Sequence, residues 1–134
     1  MSMLKVNLSG RFYQLNTGGN TTYTRNLYNG LRNENIDVGL IPFGRTKVTT
    51  IYKEAIYPYR NFHRRPIPIL HYTGDTGPLS KGRSPIAVTI HGVASRWIKV
   101  ARSPTQEALW RFRVRRASQV ADRIITVSKS SAND

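Results

Sequence analysis

The chain has 134 residues, 39% of them apolar, so it is long enough to bury the core of one globular domain. Lysine and arginine number 21 against 7 aspartates and glutamates, and the net charge of +14 favours polyanionic partners such as nucleic acid, anionic lipid or phosphorylated saccharides. The absence of cysteine excludes disulfides and thiolate metal sites, and no apolar run resembles a signal peptide or a membrane span. We therefore expect a cytoplasmic protein that can associate peripherally with the inner face of a membrane.

The first part of the chain predicts a strand followed by a helix. Residues 4–8 alternate between apolar and polar side chains, which is typical of a short strand. Tyr23, Leu27 and Leu31 then recur every four residues, which is the spacing of one helix face.

A glycine turn separates these two predicted elements. Gly18 and Gly19 are followed by Asn20, Thr21 and Thr22, three residues that favour a helix N-cap. Paired glycines let the backbone approach a ligand closely, and a helix start offers unpaired N–H groups and partial positive charge. The turn therefore predicts a site for a phosphate or another anion. The alternative is a tight turn without a ligand, and the spacing matches neither a dinucleotide fingerprint nor a P-loop.

The middle of the chain predicts three further strands. Residues 36–41 alternate, residues 67–72 have the character of a buried strand, and residues 86–90 form a cleaner apolar run that ends at His91. Residues 44–66 show little periodicity and mix basic with aromatic side chains, so we predict no regular element there.

The last third predicts a helix and a final strand. Ser103 and Pro104 are typical of a helix start. The apolar stripe of this helix comprises Leu109, Trp110, Val114, Ala117, Val120 and Ala121. Residues 124–127 are almost wholly apolar, as in a central parallel strand, and residues 128–134 look like the N-cap region of a helix that does not follow.

The alternation of strands and helices predicts an α/β fold, a Rossmann-like parallel sheet with helices on both faces. Such sheets bind ligands beyond the carboxyl ends of their strands. The glycine turn, Asp75 and His91 each follow a predicted strand. We therefore expect them to share one edge of one sheet.

Three segments carry a resemblance to a known family. They are T-G-G-N-T-T-Y at residues 17–23, V-T-I-H-G at residues 88–92 and A-D-R-I-I-T-V-S at residues 121–128. The last looks like the family signature A-D-x-I-I-x-V-S, and the order and spacing match over nearly the whole chain. On these residues the chain resembles the N-terminal domain of GT-B glycosyltransferases of the retaining group 1, or family 4, type.

The resemblance implies the following function. Residues 1–134 would form the acceptor-binding domain, the N-terminal half of a GT-B fold, while a C-terminal domain absent from this chain would bind a nucleotide-sugar donor. The enzyme would transfer the sugar to a saccharide or lipid-linked acceptor, as in the assembly of cell-envelope polysaccharides, without a metal or another cofactor. We therefore expect the chain to be a fragment that is inactive alone, and the alternative is a natural terminus with a frayed tail.

The resemblance also assigns roles to residues. Gly18, Gly19, Asn20 and Thr21 would lie against the donor diphosphate and the acceptor. His91 matches the family histidine that reaches the transferred sugar near its reacting carbon. Without the family context, His91 would be interpreted as a half-buried structural histidine.

Two further residues are candidates for contacts with the acceptor, Asp75 and Ser128. For Asp75 the alternative is an ordinary turn. Asp75-Thr76-Gly77 is also the active-site triplet of aspartic proteases, which need two facing carboxylates in an all-β fold, and the helical patterns here oppose that assignment.

The last predicted helix carries four arginines, and they form a candidate membrane or anion patch. They are Arg111, Arg113, Arg115 and Arg116. Such a run is usually a solvated helix face, but together with Trp110 and Phe112 it also suits an anionic membrane surface. Trp110 and Phe112 cannot both face the core on one narrow stripe, so we expect one of them to be exposed.

A nucleic-acid-binding module is the competing function. The high charge favours it, and four aromatic side chains of the basic segment could stack on bases, namely Tyr52, Tyr57, Tyr59 and Phe62. No pattern of a common nucleic-acid-binding fold accompanies them, which makes nucleic acid the less favoured partner.

Overall fold

The computed structural model describes residues 3–15, 18–60, 65–92 and 103–133, and its strands form a five-stranded parallel sheet. The strands are β1 (Lys5–Ser9), β2 (Asp37–Ile41), β3 (Ile69–Tyr72), β4 (Ile86–Ile90) and β5 (Arg123–Thr126). The helices are α1 (Gly10–Gln14), α2 (Gly19–Asn33), α3 (Lys47–Arg60), α4 (Pro104–Val120) and α5 (Lys129–Asn133). The strand order β2-β1-β3-β4-β5 confirms the predicted Rossmann-like α/β fold.

Helices cover both faces of the sheet. Tyr57 of α3 contacts Asn7, whereas Tyr23 of α2 contacts Thr89, and the strand register places Asn7 and Thr89 on opposite faces. An ion pair between Glu54 and the α4 side chain of Arg113 joins α3 to α4, so these two helices share one face. In the described chain, no helix is both long and apolar enough to cross a membrane.

The main hydrophobic core lies between the sheet and the pair α3 and α4. Its buried side chains are Ile41, Leu70, Tyr72, Ile86, Val88 and Ala117. Helix α4 begins as predicted, because Ser103 and Gln106 form a capping box and Pro104 occupies the first turn. The predicted stripe packs inward through Val114, Ala117 and Val120.

Helix α3 corrects the prediction that residues 44–66 lack a regular element. Thr46 and Thr49 exchange hydrogen bonds at its start, which stabilises the first turn. Its buried side chains include Thr50 and Glu54, whereas Val48 is 78% exposed. The inward face is therefore partly polar, and an apolar period of 3.6 residues could not be read from the sequence.

Strand β5 also differs from the prediction. It lies at the edge of the sheet rather than in its centre, and Ile124 and Ile125 are 49% and 40% exposed. Apolar composition shows that a strand suits a buried place, but it does not set the strand's position in the sheet. The predicted helix start after β5 is confirmed in part, because the short helix α5 follows it.

Asp122, in the most specific of the three motifs, has a structural contact in the fold. Its carboxylate accepts a hydrogen bond from the backbone N–H of Ile86 at 2.9 Å, and Ile86 in turn accepts one from the N–H of Asp122 at 2.8 Å. Hydrogen bonds from Lys81 and Ile86 hold the pKa of Asp122 below its usual value. Asp122 therefore connects β5 to β4 by hydrogen bonds at the amino ends of these strands, whereas the predicted binding site lies at their carboxyl ends.

The face beneath α2 contains a buried polar group. His71 is 8% exposed, and its Nε2 lies 2.7 Å from Oγ1 of Thr89, which also contacts the hydroxyl of Tyr23 at 3.2 Å. Burial lowers the pKa of His71 to about 4. The imidazole is therefore neutral at pH 7 and forms part of the packing between α2 and the sheet.

We predict that acid destabilises the protein through His71. The ordinary histidine pKa of 6.5 falls to about 4 on folding, so the unfolded state binds more protons between these values. Stability is fully present above pH 6.5 and falls as pH decreases to 4, by up to about 3 kcal/mol. Urea unfolding across this range tests it, with His71→Gln as the variant that does not titrate. An equally steep pH dependence in His71→Gln would contradict the assignment.

Candidate binding site at the carboxyl edge of the sheet

Thr73, the first residue after β3, joins three elements at the carboxyl edge of the sheet. It is fully buried, and its backbone N–H donates to Oγ of Ser9 at 3.0 Å. Because the hydroxyl of Thr24 donates to the carbonyl of Asn20, the hydroxyl of Thr73 is the donor in their 2.6 Å contact. The carbonyl of Thr73 accepts a hydrogen bond from Nε2 of His91 at 2.8 Å. The end of β1, the first turns of α2 and the end of β4 are therefore held together.

His91 is fixed in orientation by these contacts. A carbonyl only accepts hydrogen bonds, so Nε2 carries the proton in the contact with Thr73. The backbone N–H of His91 donates to Oδ1 of Asp75 at 2.8 Å, and its ring meets the ring of Tyr23 edge to face, with centroids 5.0 Å apart. The structure thus brings together His91, Asp75 and the helix that follows the glycine pair.

The glycine pair begins α2, but not as predicted. The N-cap is Gly18, with φ +95°, and no side chain caps the helix, so Asn20, Thr21 and Thr22 lie inside the first turn. The expectation that one of these three residues is the N-cap is wrong, because Gly18 alone supplies the left-handed backbone conformation that this start requires. No described atom lies within 4 Å of a Cβ built on Gly18 or Gly19, so the backbone there is open to a ligand.

Helix α1 separates β1 from the glycine pair, so the pair does not follow β1 directly as predicted. Helix α1 could not be predicted from hydrophobic periodicity, because it is only five residues long. Thr17 of the glycine motif and Phe62 of the aromatic group lie outside the described residues.

A cleft of about 370 Å³ opens beside α1 at this edge. Its polar lining residues are Arg11, Asn20, Asp75, Thr76 and Arg113, and its apolar walls are Phe12, Leu15 and Trp110. Three of the predicted site residues, Asn20, Asp75 and Arg113, therefore line one cavity. Adjoining clefts extend this cavity toward Lys47.

Arg113 lines this cleft and is not exposed to solvent with the other arginines of α4. Its Nη2 donates to both carboxylate oxygens of Glu54, at 2.8 and 2.6 Å, and the two side chains are 14% and 10% exposed. Burial raises the pKa of Glu54, while the charges of Arg113 and Arg11 oppose that rise. The prediction that Arg113 is part of a solvated patch is wrong, because it lies on the side of α4 that faces α3.

Arg11 is the functional candidate that sequence reasoning missed. Its Nη2 donates to Oγ1 of Thr76 at 2.8 Å, and its guanidinium lies 4.5 Å from the ring centroid of Phe12. Burial lowers the pKa of Arg11, Glu54 opposes this effect, and Arg113 adds to it. The available signal was its position, since Arg11 follows β1 almost directly, where parallel sheets place binding residues.

The remaining candidates lie elsewhere. Ser128 is exposed beyond the edge strand β5, where its carbonyl accepts from Ala132 in α5, and it does not line the described cleft. Arg111, Arg115 and Arg116 are exposed on α4 as predicted. Phe112 is 58% exposed, which confirms the expectation for the aromatic pair on this helix.

Within the described ranges, no group of three or more histidine, aspartate or glutamate side chains is placed to hold a metal ion. No protein-family model, curated protein or solved structure matches this chain. The geometry of the carboxyl edge is therefore the basis for assigning a function.

We predict that Thr73→Val lowers the free energy of unfolding by about 1 kcal/mol, because the near-isosteric side chain loses the hydrogen bond to Thr24. Urea denaturation measures the change. Thr126→Val, at the less buried edge strand, is the matched control and should change stability by less than about 0.5 kcal/mol. Equal effects of the two substitutions would contradict the role of Thr73 at the edge of the sheet.

Proposed function

We propose that the protein is the acceptor-binding half of a glycosyltransferase of the GT-B type, which acts with a second domain that binds a nucleotide-sugar. The proposal rests on one observation. The start of α2, where Gly18 and Gly19 leave the backbone uncovered, and His91, whose ring is held by a hydrogen bond, lie at the same edge of a parallel sheet. Tyr23, in the early part of α2, packs against the ring of His91, so these two features are neighbours. The motif resemblance of the sequence supports the same assignment.

The arrangement suits glycosyl transfer chemically. As the sugar leaves its nucleoside diphosphate, negative charge develops on the phosphate oxygens, and preorganised N–H groups stabilise that charge. The start of α2 presents such groups, and both glycines leave its backbone uncovered. In the proposed mechanism the donor diphosphate lies across Gly18 and Gly19, clamped from the other side by the second domain.

His91 and Asp75 would act on the sugar side of the same site. The bond from His91 to the carbonyl of Thr73 fixes the imidazole, and the bond from its backbone to Asp75 fixes the carboxylate. In the proposal His91 contacts the transferred sugar and Asp75 accepts hydrogen bonds from acceptor hydroxyls. No bound metal is needed for these roles.

We predict that the protein expressed from its complete reading frame releases nucleoside diphosphate from a nucleotide-sugar, whereas the 134-residue chain alone does not. His91→Ala should lower kcat about 100-fold, comparable to the loss of one preorganised contact in a transition state. Asn33→Ala, an exposed change at the far end of α2, is the control and should leave kcat unaltered. Turnover by the short chain, or full activity of His91→Ala, would refute the assignment.

The outer side of α4 supports a further part of this proposal, association with an anionic membrane. Leu109 and Phe112 are 46% and 58% exposed, and the exposed side chains of Arg115 and Arg116 follow on this part of the helix. Leu109 also borders the cavity that adjoins the cleft, and Nε of Arg116 donates to the carbonyl of Leu79 at 2.9 Å. We call Leu109, Phe112, Arg115 and Arg116 the outer face of α4. Exposed apolar side chains flanked by arginines suit the interface of an anionic bilayer, where a lipid-linked acceptor would be reached.

We predict that the protein co-sediments with phosphatidylglycerol vesicles at low salt and is released as salt is raised. The double change Leu109→Ser with Phe112→Ser should weaken binding about tenfold or more, because it removes the apolar contact. Changing Arg115 and Arg116 to glutamine should weaken it about fivefold for each charge. Gln119→Ala on the same side is the control.

A failure to co-sediment at low salt would contradict this membrane role. Tight, salt-sensitive binding of single-stranded RNA in the absence of vesicle binding would instead favour the nucleic-acid alternative.

A further inference from the structure

We propose that the cleft beside α1 binds the phosphate group of a phosphorylated polyol, a hydroxylated ring or chain carrying a phosphate ester. This inference deepens the acceptor role proposed above by naming the chemical class of the acceptor. It depends on four polar side chains that line the cleft together, Arg11, Arg113, Asn20 and Asp75.

The first argument is the charge of the side chains in and beside the cleft. Both carboxylate oxygens of Glu54 accept hydrogen bonds from Nη2 of Arg113, so these two charges form an ion pair, and Arg11 lies near it. Asp75 is the carboxylate that lines the cleft itself, and Lys47 adds a positive charge at the adjoining mouth. The three cations therefore exceed the two carboxylates by one charge, which a bound anion would offset.

The second argument is hydrogen-bonding capacity that the described protein does not satisfy. Within the described residues, Nε of Arg113 and the hydroxyl of Tyr72 are buried without a hydrogen-bond partner. Tyr72 is 3% exposed and lines a separate cavity of about 20 Å³ together with Arg11 and Glu54, which is large enough for one water molecule. Arg113 lines the cleft itself, and a buried donor is costly unless it is satisfied, so its Nε favours a polar ligand there.

The third argument concerns the rest of the cleft wall. Trp110 and Leu15 offer apolar surface, on which the CH face of a ring can pack. Asn20 and Asp75 line the same cleft, and their side-chain oxygens can accept hydrogen bonds from hydroxyl groups. Asp75 would repel a second phosphate, so one phosphate on a hydroxylated body fits this cleft better than a nucleic-acid strand.

The test uses glucose 6-phosphate as the probe, with glucose as the neutral control and no nucleotide-sugar present. In ¹H–¹⁵N spectra of the wild-type protein, the phosphate probe should shift the Nε–H signals of Arg11 and Arg113 and the indole signal of Trp110, but not the Nε–H signal of Arg32. Arg11→Gln should weaken binding at least about tenfold. Arg32→Gln removes the same charge from the exposed last turn of α2 and should alter binding by less than about twofold.

Circular dichroism establishes that each variant is folded, and the wild-type shifts test the site without any substitution. Phosphatidylinositol vesicles provide a second arm that distinguishes a lipid headgroup from a free sugar phosphate. Binding of either probe that depends on Arg11 supports the proposal and identifies the source. Equal losses in Arg11→Gln and Arg32→Gln, equal binding of glucose, or binding of neither probe would overturn it. Because no donor is present, a failure of sugar transfer would leave this result unaffected.

Discussion

The hydrogen bonds of Thr73 are the constraint on which the carboxyl edge of the sheet depends. A parallel sheet only brings the ends of its strands to one side, and it does not orient the side chains that follow them. Thr73 does this with its amide, its hydroxyl and its carbonyl, which contact Ser9, Thr24 and His91 in turn. The bonds to Ser9 and Thr24 are buried and the bond to His91 is partly buried, so together they hold the edge in one arrangement.

The class of the fold could be predicted from sequence because its strands are short apolar runs with clear ends. Strand β4 was predicted with the observed boundaries, and the residues that begin α4 are typical of a helix start in the sequence and form a capping box in the structure. Prediction failed where the physical signal was mixed. The inward face of α3 includes the polar side chains of Thr50 and Glu54, which hide its period. The apolar strand β5 lies at the edge of the sheet, because the position of a strand depends on its pairing partners rather than on its composition.

One part of the candidate site could be predicted from the sequence and another part could not. The convergence of Asp75 and His91 followed from their places after neighbouring strands, which is a property of topology that a sequence reveals. The basic cleft could not be predicted from the sequence, because it depends on which side of α4 faces α3. A run of arginines cannot show that Arg113 turns inward to Glu54 while Arg115 stays exposed. Arg11 was missed because the five-residue helix α1 is too short to have a readable period.

The most direct test of the shared edge is a nuclear Overhauser effect between the ring protons of Tyr23 and His91 in solution. We predict a clear cross-peak, because the ring centroids lie 5.0 Å apart in an edge-to-face arrangement. Assigned spectra of both rings without such a cross-peak would show that the helix after the glycine pair and the end of β4 do not meet. That result would contradict a single binding edge organised by Thr73.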